Sequence, residues 1–205
     1  MMNGGVVAYP TSTLPGLACL PTAASLDGLY NLKGRSADKP VSLGVLSLEQ
    51  ASDLVHVPPT VIDMEAAFER GSITFVLDAV TPLDERLGGS RVAVRCLAHP
   101  TARALVKRFG PITATSANEA GVAPEGSAEA AGRSLGLSSH AVLPGTCPGG
   151  LGSTFVGVSS GEAGLEVTVM REGVVPATVV MEWLTNRTSN TGETPGTSHD
   201  ERLKP

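Results

Sequence analysis

Short apolar runs alternate with amphipathic segments along most of the chain. Apolar runs bounded by Gly, Pro and polar residues are typical of buried strands. They predict strands at residues 6–9, 41–46, 73–80, 91–96, 112–115, 140–143, 153–158 and 165–170. Apolar positions three and four residues apart predict helices at residues 23–33, 58–70, 99–109 and 127–135. Strands and helices in alternation indicate an α/β fold.

The length of 205 residues allows one domain with a sizeable core. Hydrophobic residues make up 41% of the chain but aromatic residues only 3%, which favours closely packed layers of sheet and helix. The last residues are rich in Thr, Ser, Asn, Gly and Glu, a composition typical of disorder. We therefore predict one domain over residues 1–184 and a disordered polar tail over residues 185–205.

The formal net charge of -5 argues against a surface that binds nucleic acid everywhere, although a local basic groove is compatible with it. No signal peptide and no membrane-spanning stretch is visible in the sequence, so we expect a cytoplasmic protein without membrane contact. The three cysteines lack CxxC spacing, which favours buried, reduced thiols.

Several common catalytic motifs are missing from the sequence. It contains no GxxxxGK[ST] phosphate loop, no GxGxxG after the first strand, no HExxH and no GxSxG. The four histidines are scattered along the chain, which disfavours a metal cluster or a His-dependent triad. Any chemistry must therefore come from other polar groups.

Two polar tripeptides stand out in this apolar, glycine-rich chain. Lys33 and Arg35 flank Gly34, and Ser116 and Asn118 flank Ala117. In extended backbone, residues two apart point to the same face, so each tripeptide is expected to direct two polar side chains into one cleft. The first lies at the end of a predicted helix. The second lies at the carboxyl end of a predicted strand, where open α/β sheets bind ligands.

Arg91 and Arg95 occupy alternate positions of one predicted strand, so their side chains share a face. An Arg on an inner strand needs an anionic partner, because an unpaired buried charge is costly. No Asp or Glu lies close in sequence to Arg95. A bound carboxylate or phosphate is thus an attractive partner, since Arg suits bidentate recognition of such anions.

Five motifs occur in order along the chain. They read YPTST-x-x-G (9–16), KGR followed by Lys-Pro (33–40), VAVR-x-x-x-HP (92–100), TSAN-x-x-G (115–121) and ST-x-V followed by Arg-x-Gly (153–173). Over residues 6–175 this series resembles the YrdC/Sua5 family of threonylcarbamoyl-AMP synthases. The resemblance implies a single YrdC-like α/β domain, with three layers around a mixed, twisted sheet and a large, concave, basic cleft.

The resemblance also implies an activity. The family makes L-threonylcarbamoyladenylate and pyrophosphate from L-threonine, bicarbonate and ATP, as a nucleotidyltransferase of tRNA processing. A separate tRNA threonylcarbamoyl transferase complex then uses the product to modify adenosine 37 (t6A37) of tRNAs reading codons that begin with A. We expect Mg²⁺ on the ATP phosphates. A direct contact with tRNA or double-stranded RNA stays open.

The residues that match the family's functional positions fall into two groups. Those at ATP-binding positions are Lys33, Arg35, Lys39, Asn118 and Arg171. Those at L-threonine-binding positions are Thr13, Arg95, Ser116 and Ser153. The positions taken as catalytic are Lys33, Arg35, Ser116 and Asn118. No covalent nucleophile and no protein-bound metal is implied, because a threonine carbamate attacks the α-phosphorus and catalysis rests on positioning and charge stabilisation.

Three positions depart from the family pattern. Leu14 and Pro15 stand where the family usually has Val-Tyr, and Gly152 stands where an acidic residue is usual. Two alternatives therefore stay open. One is a relative without synthase activity that binds double-stranded RNA, tRNA or nucleotide; the other is a carbamoyltransferase-like enzyme with another acceptor.

Overall fold

The structure, a computed structural model, describes residues 1, 4–161 and 164–191. Eight strands form one open sheet in the order β1-β2-β6-β3-β5-β4-β7-β8. The strands are β1 (Val7–Tyr9), β2 (Gly16–Ala18), β3 (Ser42–Val45), β4 (Ile73–Asp78), β5 (Arg91–Cys96), β6 (Ile112–Ser116), β7 (Thr154–Gly161) and β8 (Gly164–Arg171). β3 pairs with β5 and β4 with β7 in parallel, while the other neighbours are antiparallel. The sheet is therefore mixed, as predicted.

Six α-helices accompany the sheet in the described part of the chain. They are α1 (Ala23–Lys33), α2 (Leu48–Ala51), α3 (Pro59–Ala67), α4 (Pro100–Phe109), α5 (Ala128–Ser134) and α6 (Ala177–Thr191). Local sequence explains several of their ends. α1 stops at Gly34, whose φ of 55° is left-handed and suits glycine. α5 starts after Ser127, whose hydroxyl accepts a hydrogen bond from the Ala130 amide.

The first face of the sheet carries the main apolar core. Alternate residues of the central strands point to this face, among them Leu43 of β3, Phe75 of β4 and Val94 of β5. Leu26 and Leu29 of α1 pack in the same cluster and are fully buried. Residues of α2, α3, α5 and α6 also contribute to it. Five helices thus close this face, which accounts for most of the buried apolar surface.

The second face of the sheet is closed only at one end. A smaller cluster there joins Tyr9 of β1, Ala18 of β2 and Ile112 of β6 to Ala102 and Val106 of α4. The helices on the first face, the sheet and α4 form the three predicted layers. Further along this face the strands carry Ser, Thr and Arg instead of large apolar residues, and α4 does not cover them. The uncovered part is the floor of a cavity.

One predicted strand was wrong. Residues 140–143 form a short 3₁₀ turn at Ser139–Ala141, followed by a single bridge between Val142 and Ala8. The strand β2 was missed because Gly16–Ala18 has only three residues and no alternation to read. It pairs β1 with β6 and so places the first polar loop beside the Ser116 end of β6.

The helix predicted over residues 58–70 ends at Ala67. Phe68 adopts extended backbone and packs on the main core, with its ring centroid 6.1 Å from that of Trp183. Trp183 belongs to α6, a helix that the sequence pattern did not predict. Residues 185–191, expected to begin the disordered tail, continue this helix; residues 192–205 lie outside the described residues.

Two further features concern the cysteines and the helices. Cys19, Cys96 and Cys147 are all free, and the first two are buried. Among the described residues, no helix combines the length and the apolar character needed to cross a bilayer.

Candidate active site

A cavity of about 210 Å³ lies on the uncovered part of the second sheet face. Strand register brings its walls together: Gly16 lies opposite both Tyr9 and Ser116, and Phe155 lies opposite both Thr74 and Arg171. The cavity is lined by Tyr9, Thr11, Thr13, Leu14, Gly16, Arg35, Ser42, Thr74, Arg95, Ala114, Thr115, Ser116, Gly152, Ser153, Phe155 and Arg171. Hydroxyl and guanidinium groups therefore dominate its polar lining.

Three guanidinium groups line this cavity, those of Arg35, Arg95 and Arg171, and none of its lining residues is acidic. Their charges act on one another. Burial, and then the charge of Arg171, lower the pKa of Arg95; burial, and then the charge of Arg35, lower the pKa of Arg171. A cavity with three cations and no carboxylate in its lining is suited to bind an anion.

Arg95 is held by neutral acceptors. Its Nε donates to the carbonyl of Gly71 at 2.8 Å, and its Nη2 donates to Oγ1 of Thr13 at 3.0 Å. Thr13 is itself fixed, because its amide donates to Oγ1 of Thr11 at 3.1 Å and its carbonyl accepts the Gly149 amide at 3.0 Å. No carboxylate of the described residues forms an ion pair with Arg95. Against the effect of burial, the charge of Glu65 raises the pKa of Arg95 without forming an ion pair with it, so the expected need for an anionic partner is unmet among the described residues.

Arg91 behaves differently on the same strand face. Its Nη1 lies 2.8 Å from Oδ1 of Asp78, the residue opposite it on β4. The alternation prediction was correct for both arginines, since Arg91, Ala93 and Arg95 are all partly exposed while their neighbours are buried. The structure thus separates a paired arginine from one whose charge is available to a ligand.

Arg171 and Ser153 meet at the far wall of the cavity. Nη2 of Arg171 donates to the carbonyl of Ser153 at 3.1 Å. The guanidinium also lies over the Phe155 ring, 4.0 Å from its centroid, which is a close cation–π contact. Gly152 adds no side chain here, and a Cβ on it would lie 3.7 Å from Nη2 of Arg171. The guanidinium has neighbours that fix it, and it forms no ion pair with an acidic side chain among the described residues.

The two tripeptides form one unit, although not in the expected way. Lys33 is only 2% exposed, and its Nζ donates to the carbonyls of Ser116 and Asn118. Burial, and then the charge of Arg35, lower the pKa of Lys33 to about 8. The prediction that Lys33 and Arg35 share a face was wrong, because Lys33 is helical and Gly34 left-handed.

Arg35 does line the cavity, while two other predicted residues do not. Nε and Nη2 of Arg35 donate to the carbonyls of Lys39 and Pro40 at 2.7 and 2.9 Å. Lys39 is exposed and outside the lining. Asn118 is also outside it; its Nδ2 donates to the carbonyls of Glu119 and Val122, and its Oδ1 is buried without a partner.

Of the nine site residues predicted from the sequence, six line the cavity: Thr13, Arg35, Arg95, Ser116, Ser153 and Arg171. Ten lining residues were not assigned a role, and three of them, Tyr9, Thr74 and Phe155, add aromatic or hydroxyl groups to the wall. Tyr9 packs over Gly16, where a Cβ would come within 2.7 Å of the ring, and burial raises the Tyr9 pKa to about 12. Thr74 and Phe155 lie in strands whose sequences are mostly apolar, so neither was singled out. Assigning alternate residues of 73–80 to opposite faces would have placed Thr74 on the Arg95 face.

These features define a class: an α/β protein whose partly covered sheet face holds a cavity lined by hydroxyl and guanidinium groups. The sequence profile of the Sua5/YciO/YrdC family, described as telomere recombination, matches residues 1–173. The chain belongs to this family.

Relatives with sequence similarity carry the name threonylcarbamoyl-AMP synthase. The protein of this name from Halorhodospira halophila is 36% identical over 154 residues, which cover 73% of this chain and 81% of the relative. That from Alkalilimnicola ehrlichii is 38% identical over 152 residues, or 71% of this chain and 80% of the relative.

A solved structure shows the same fold. P. abyssi Sua5, complexed with L-threonine, superposes with a TM-score of 0.77 at 24% sequence identity. The match covers 96% of this chain and 59% of that longer protein. At this identity the likeness supports the mixed-sheet fold.

Proposed function

We propose that this protein is a threonylcarbamoyl-AMP synthase, which makes L-threonylcarbamoyladenylate and pyrophosphate from L-threonine, bicarbonate and ATP. The observation that carries the proposal is Arg95. It is a guanidinium in the cavity with no carboxylate partner in the described chain, and it lies beside the hydroxyl of Thr13. Membership of the family and the names of the curated relatives support the same activity.

The amino-acid substrate is assigned to the part of the cavity around Arg95. Thr13, Ser116 and Ser153 supply hydroxyls within the same lining. A guanidinium pairs with the α-carboxylate in the bidentate manner that Arg favours, and hydroxyls bind the polar groups around it. The cavity volume of about 210 Å³ is below the roughly 300–1,000 Å³ typical of larger ligand pockets, so it suits an amino acid better than a whole nucleotide.

The nucleotide is assigned to the side of Arg35 and Arg171, whose guanidinium groups act on each other electrostatically. Two such groups stabilise the charge of a triphosphate without a phosphate loop. Lys39 lies outside the lining and would contact the exposed part of ATP. Lys33 and Asn118 act here by shaping the turn that carries Ser116, since Lys33 holds the carbonyls of Ser116 and Asn118.

The reaction requires positioning more than side-chain chemistry. The threonine amine and bicarbonate give a carbamate with loss of water. A carbamate oxygen then attacks the α-phosphorus of ATP, and the bond to the β-phosphate oxygen breaks to release pyrophosphate. Negative charge is spread over phosphate oxygens throughout, which guanidinium groups stabilise. No residue of the protein needs to form a covalent bond.

The donor groups of the chain bear on how Mg²⁺ would be held. The described residues hold no group of three or more His, Cys, Asp and Glu side chains that could bind a metal ion. We propose that Mg²⁺ arrives on the triphosphate, and no step above depends on it.

The wider role follows from the proposed product. Threonylcarbamoyladenylate would be used by a separate tRNA threonylcarbamoyl transferase complex to modify adenosine 37 of tRNA. The resemblance to the family supports this role, together with cytoplasmic action on ATP and bicarbonate. Direct RNA contact is a separate hypothesis, which salt-dependent binding of tRNA or double-stranded RNA would test.

The test is pyrophosphate release from ATP in the presence of bicarbonate and Mg²⁺, with and without L-threonine. We expect release only with L-threonine, and formation of threonylcarbamoyl-AMP detected by mass spectrometry. L-Serine is the matched control substrate, because it lacks only the methyl group. Release that is independent of L-threonine across a range of Mg²⁺ concentrations would contradict the proposal. Carbamoyl transfer with another amino acid would favour an enzyme with a different acceptor.

A further inference from the structure

Thr74 and Ser153 form a buried hydroxyl pair in the cavity wall. Their Oγ1 and Oγ atoms lie 2.7 Å apart, and the residues are 1% and 5% exposed. Thr74 lies on β4 and Ser153 directly precedes β7, which pairs with β4 in parallel. Both residues line the cavity. Regular sheet pairing, and not a mobile loop, therefore fixes this contact.

The number of protons in the pair and the burial of each hydroxyl indicate which one donates to the other. Each hydroxyl has one proton, and one proton lies between the two oxygens. Neither hydroxyl has another hydrogen-bond partner in the described structure, and Thr74, at 1% exposed, is the more buried of the two. Because an unused donor is costlier the deeper it is buried, the arrangement in which Thr74 donates to Ser153 Oγ costs less than the reverse arrangement. The proton of Ser153 is then free to point into the cavity.

Ser153 is also fixed through its backbone. Its carbonyl accepts the hydrogen bond from Nη2 of Arg171 at 3.1 Å. The next residue, Thr154, anchors the end of β8, because its Oγ1 donates to the Val175 carbonyl and accepts the Gly173 amide. The backbone of Ser153 is thus held in place, and the direction of its hydroxyl proton is the remaining freedom. Thr74 removes that freedom.

We propose that Thr74 is a positioning residue that orients the Ser153 hydroxyl as a hydrogen-bond donor toward an oxygen of the amino-acid substrate. This rests on the proposed function. Thr74 acts through Ser153 and does not itself bind the substrate. Together with Arg95, the oriented hydroxyl makes this part of the cavity a donor site, which selects for an acceptor such as a carboxylate.

The experiment uses Thr74→Val, which removes the hydroxyl and keeps the shape. We expect the KM for L-threonine to rise about five- to tenfold, the value of one hydrogen bond. The kcat and the KM for ATP change less than about twofold, because Arg35 and Arg171 are untouched. Thr74→Ser keeps the hydroxyl and restores the KM. Thr168→Val, on an exposed position of β8, is the matched control and leaves the KM unchanged.

A double-mutant cycle separates orientation from general damage. In a Ser153→Ala background, Thr74→Val has no hydroxyl to misdirect, so its effect on the KM for L-threonine disappears. A purely structural role of Thr74 would instead give equal effects in both backgrounds. Thermal unfolding shows that each variant is folded, and Thr74→Ala replaces Thr74→Val in the cycle if the valine variant is not.

Failure of this inference differs from failure of the proposed function. Equal KM values for wild type and Thr74→Val, or additive effects in the cycle, would overturn the role of Thr74. A wild type that shows no binding of L-threonine by calorimetry would overturn the proposed function instead, and the inference with it. L-Threonine binding without pyrophosphate release would contradict the synthase activity, and the same cycle in binding constants would then decide on Thr74.

Discussion

The two faces of the sheet are built from the same strands and serve opposite purposes. On the first face, Phe75 and Val94 are fully buried under the helices. On the second, Thr74 and Arg95 line the cavity, one residue away along each strand. Five helices contribute to the cluster on the first face, whereas α4 covers only one end of the second.

The difference shows how stability and binding are separated within one sheet. Burial of apolar surface on the first face stabilises the strands. The second face can then keep hydroxyl groups and unpaired guanidinium charge, which bring little stability of their own. Changes on the first face should therefore affect unfolding, and changes on the second should affect substrate binding.

The largest expected effect is on the apolar face. Phe75→Ala removes a fully buried ring and leaves a cavity, so the free energy of unfolding should fall by about 4 kcal/mol. Urea denaturation measures this loss. Phe75→Leu is the control and should cost about 1 kcal/mol. At a temperature where the variants are folded, the KM for L-threonine should not change; a KM change matching the stability loss would show that the faces are coupled.

The next effect is on the cavity face. Arg95→Gln removes the proposed partner of the substrate carboxylate, so kcat/KM for L-threonine should fall at least a hundredfold, about 3 kcal/mol. Unfolding should change by less than about 1 kcal/mol, because Arg95 has no ion pair to lose in the described chain. The control is Arg91→Gln, on the same strand face but paired with Asp78. It should reduce kcat/KM less than threefold, a loss of at most about 0.6 kcal/mol. Equal losses in both variants would refute the distinction between them.

A carboxyl on α3 gives the apolar side a pH dependence. Burial raises the pKa of Glu65 from 4.5 to about 7, against the lowering effects of a hydrogen bond with Cys96 and of the charges of Arg70 and Arg95. Between these values the folded protein binds more protons than the unfolded chain, so its stability falls as pH rises through this window and stays lower above it. Glu65→Gln should flatten this slope, leave stability at pH 4.5 unchanged and gain about 2 kcal/mol at pH 8.

Denaturant titration of both proteins at the two pH values measures this difference. Glu65→Asp is the control that keeps an ionisable group. An equally steep pH dependence in the Gln variant would show that another group is responsible.

The smallest effect tests the aromatic residue under Arg171. Phe155→Leu removes the ring 4.0 Å from the guanidinium carbon and should cost about 1 kcal/mol in binding, a rise of about fivefold in the KM for ATP. Phe155→Tyr keeps the ring face and should leave this KM near the wild-type value. A change in the KM for L-threonine alone would assign Phe155 to the amino-acid part of the cavity.

Much of the fold could be predicted because helix and strand periods were clear. The helix over residues 23–33 and the strand over residues 91–96 have the predicted bounds, since each pairs a regular apolar pattern with a Gly or a charged residue at its end. β2 and α6 were missed for physical reasons. β2 forms through its pairing with β1 and β6, and α6 is stabilised by packing of Trp183 on the core. Both are tertiary contacts, which the local sequence pattern does not reveal.

The sequence predicted many of the residues that line the candidate site but few of the contacts between them. The alternation of Arg91 and Arg95 was enough to place both on one face, but only the fold shows that Asp78 neutralises the first. The spacing of Lys33 and Arg35 suggested a shared direction that Gly34 prevents. Thr74 was missed because residues 73–80 were read as one apolar run without assigning alternate residues to the two faces, and its partner is 79 residues away in sequence.

The buried ammonium of Lys33 also has a consequence for folding. It joins the end of α1 to the Ser116 carbonyl across 83 residues of chain. Closing so long a loop is entropically costly, and the turn at Ser116 gains its final shape only once both segments are in place. We therefore expect an isolated fragment that holds residues 112–118 without α1 to lack the native form of this turn.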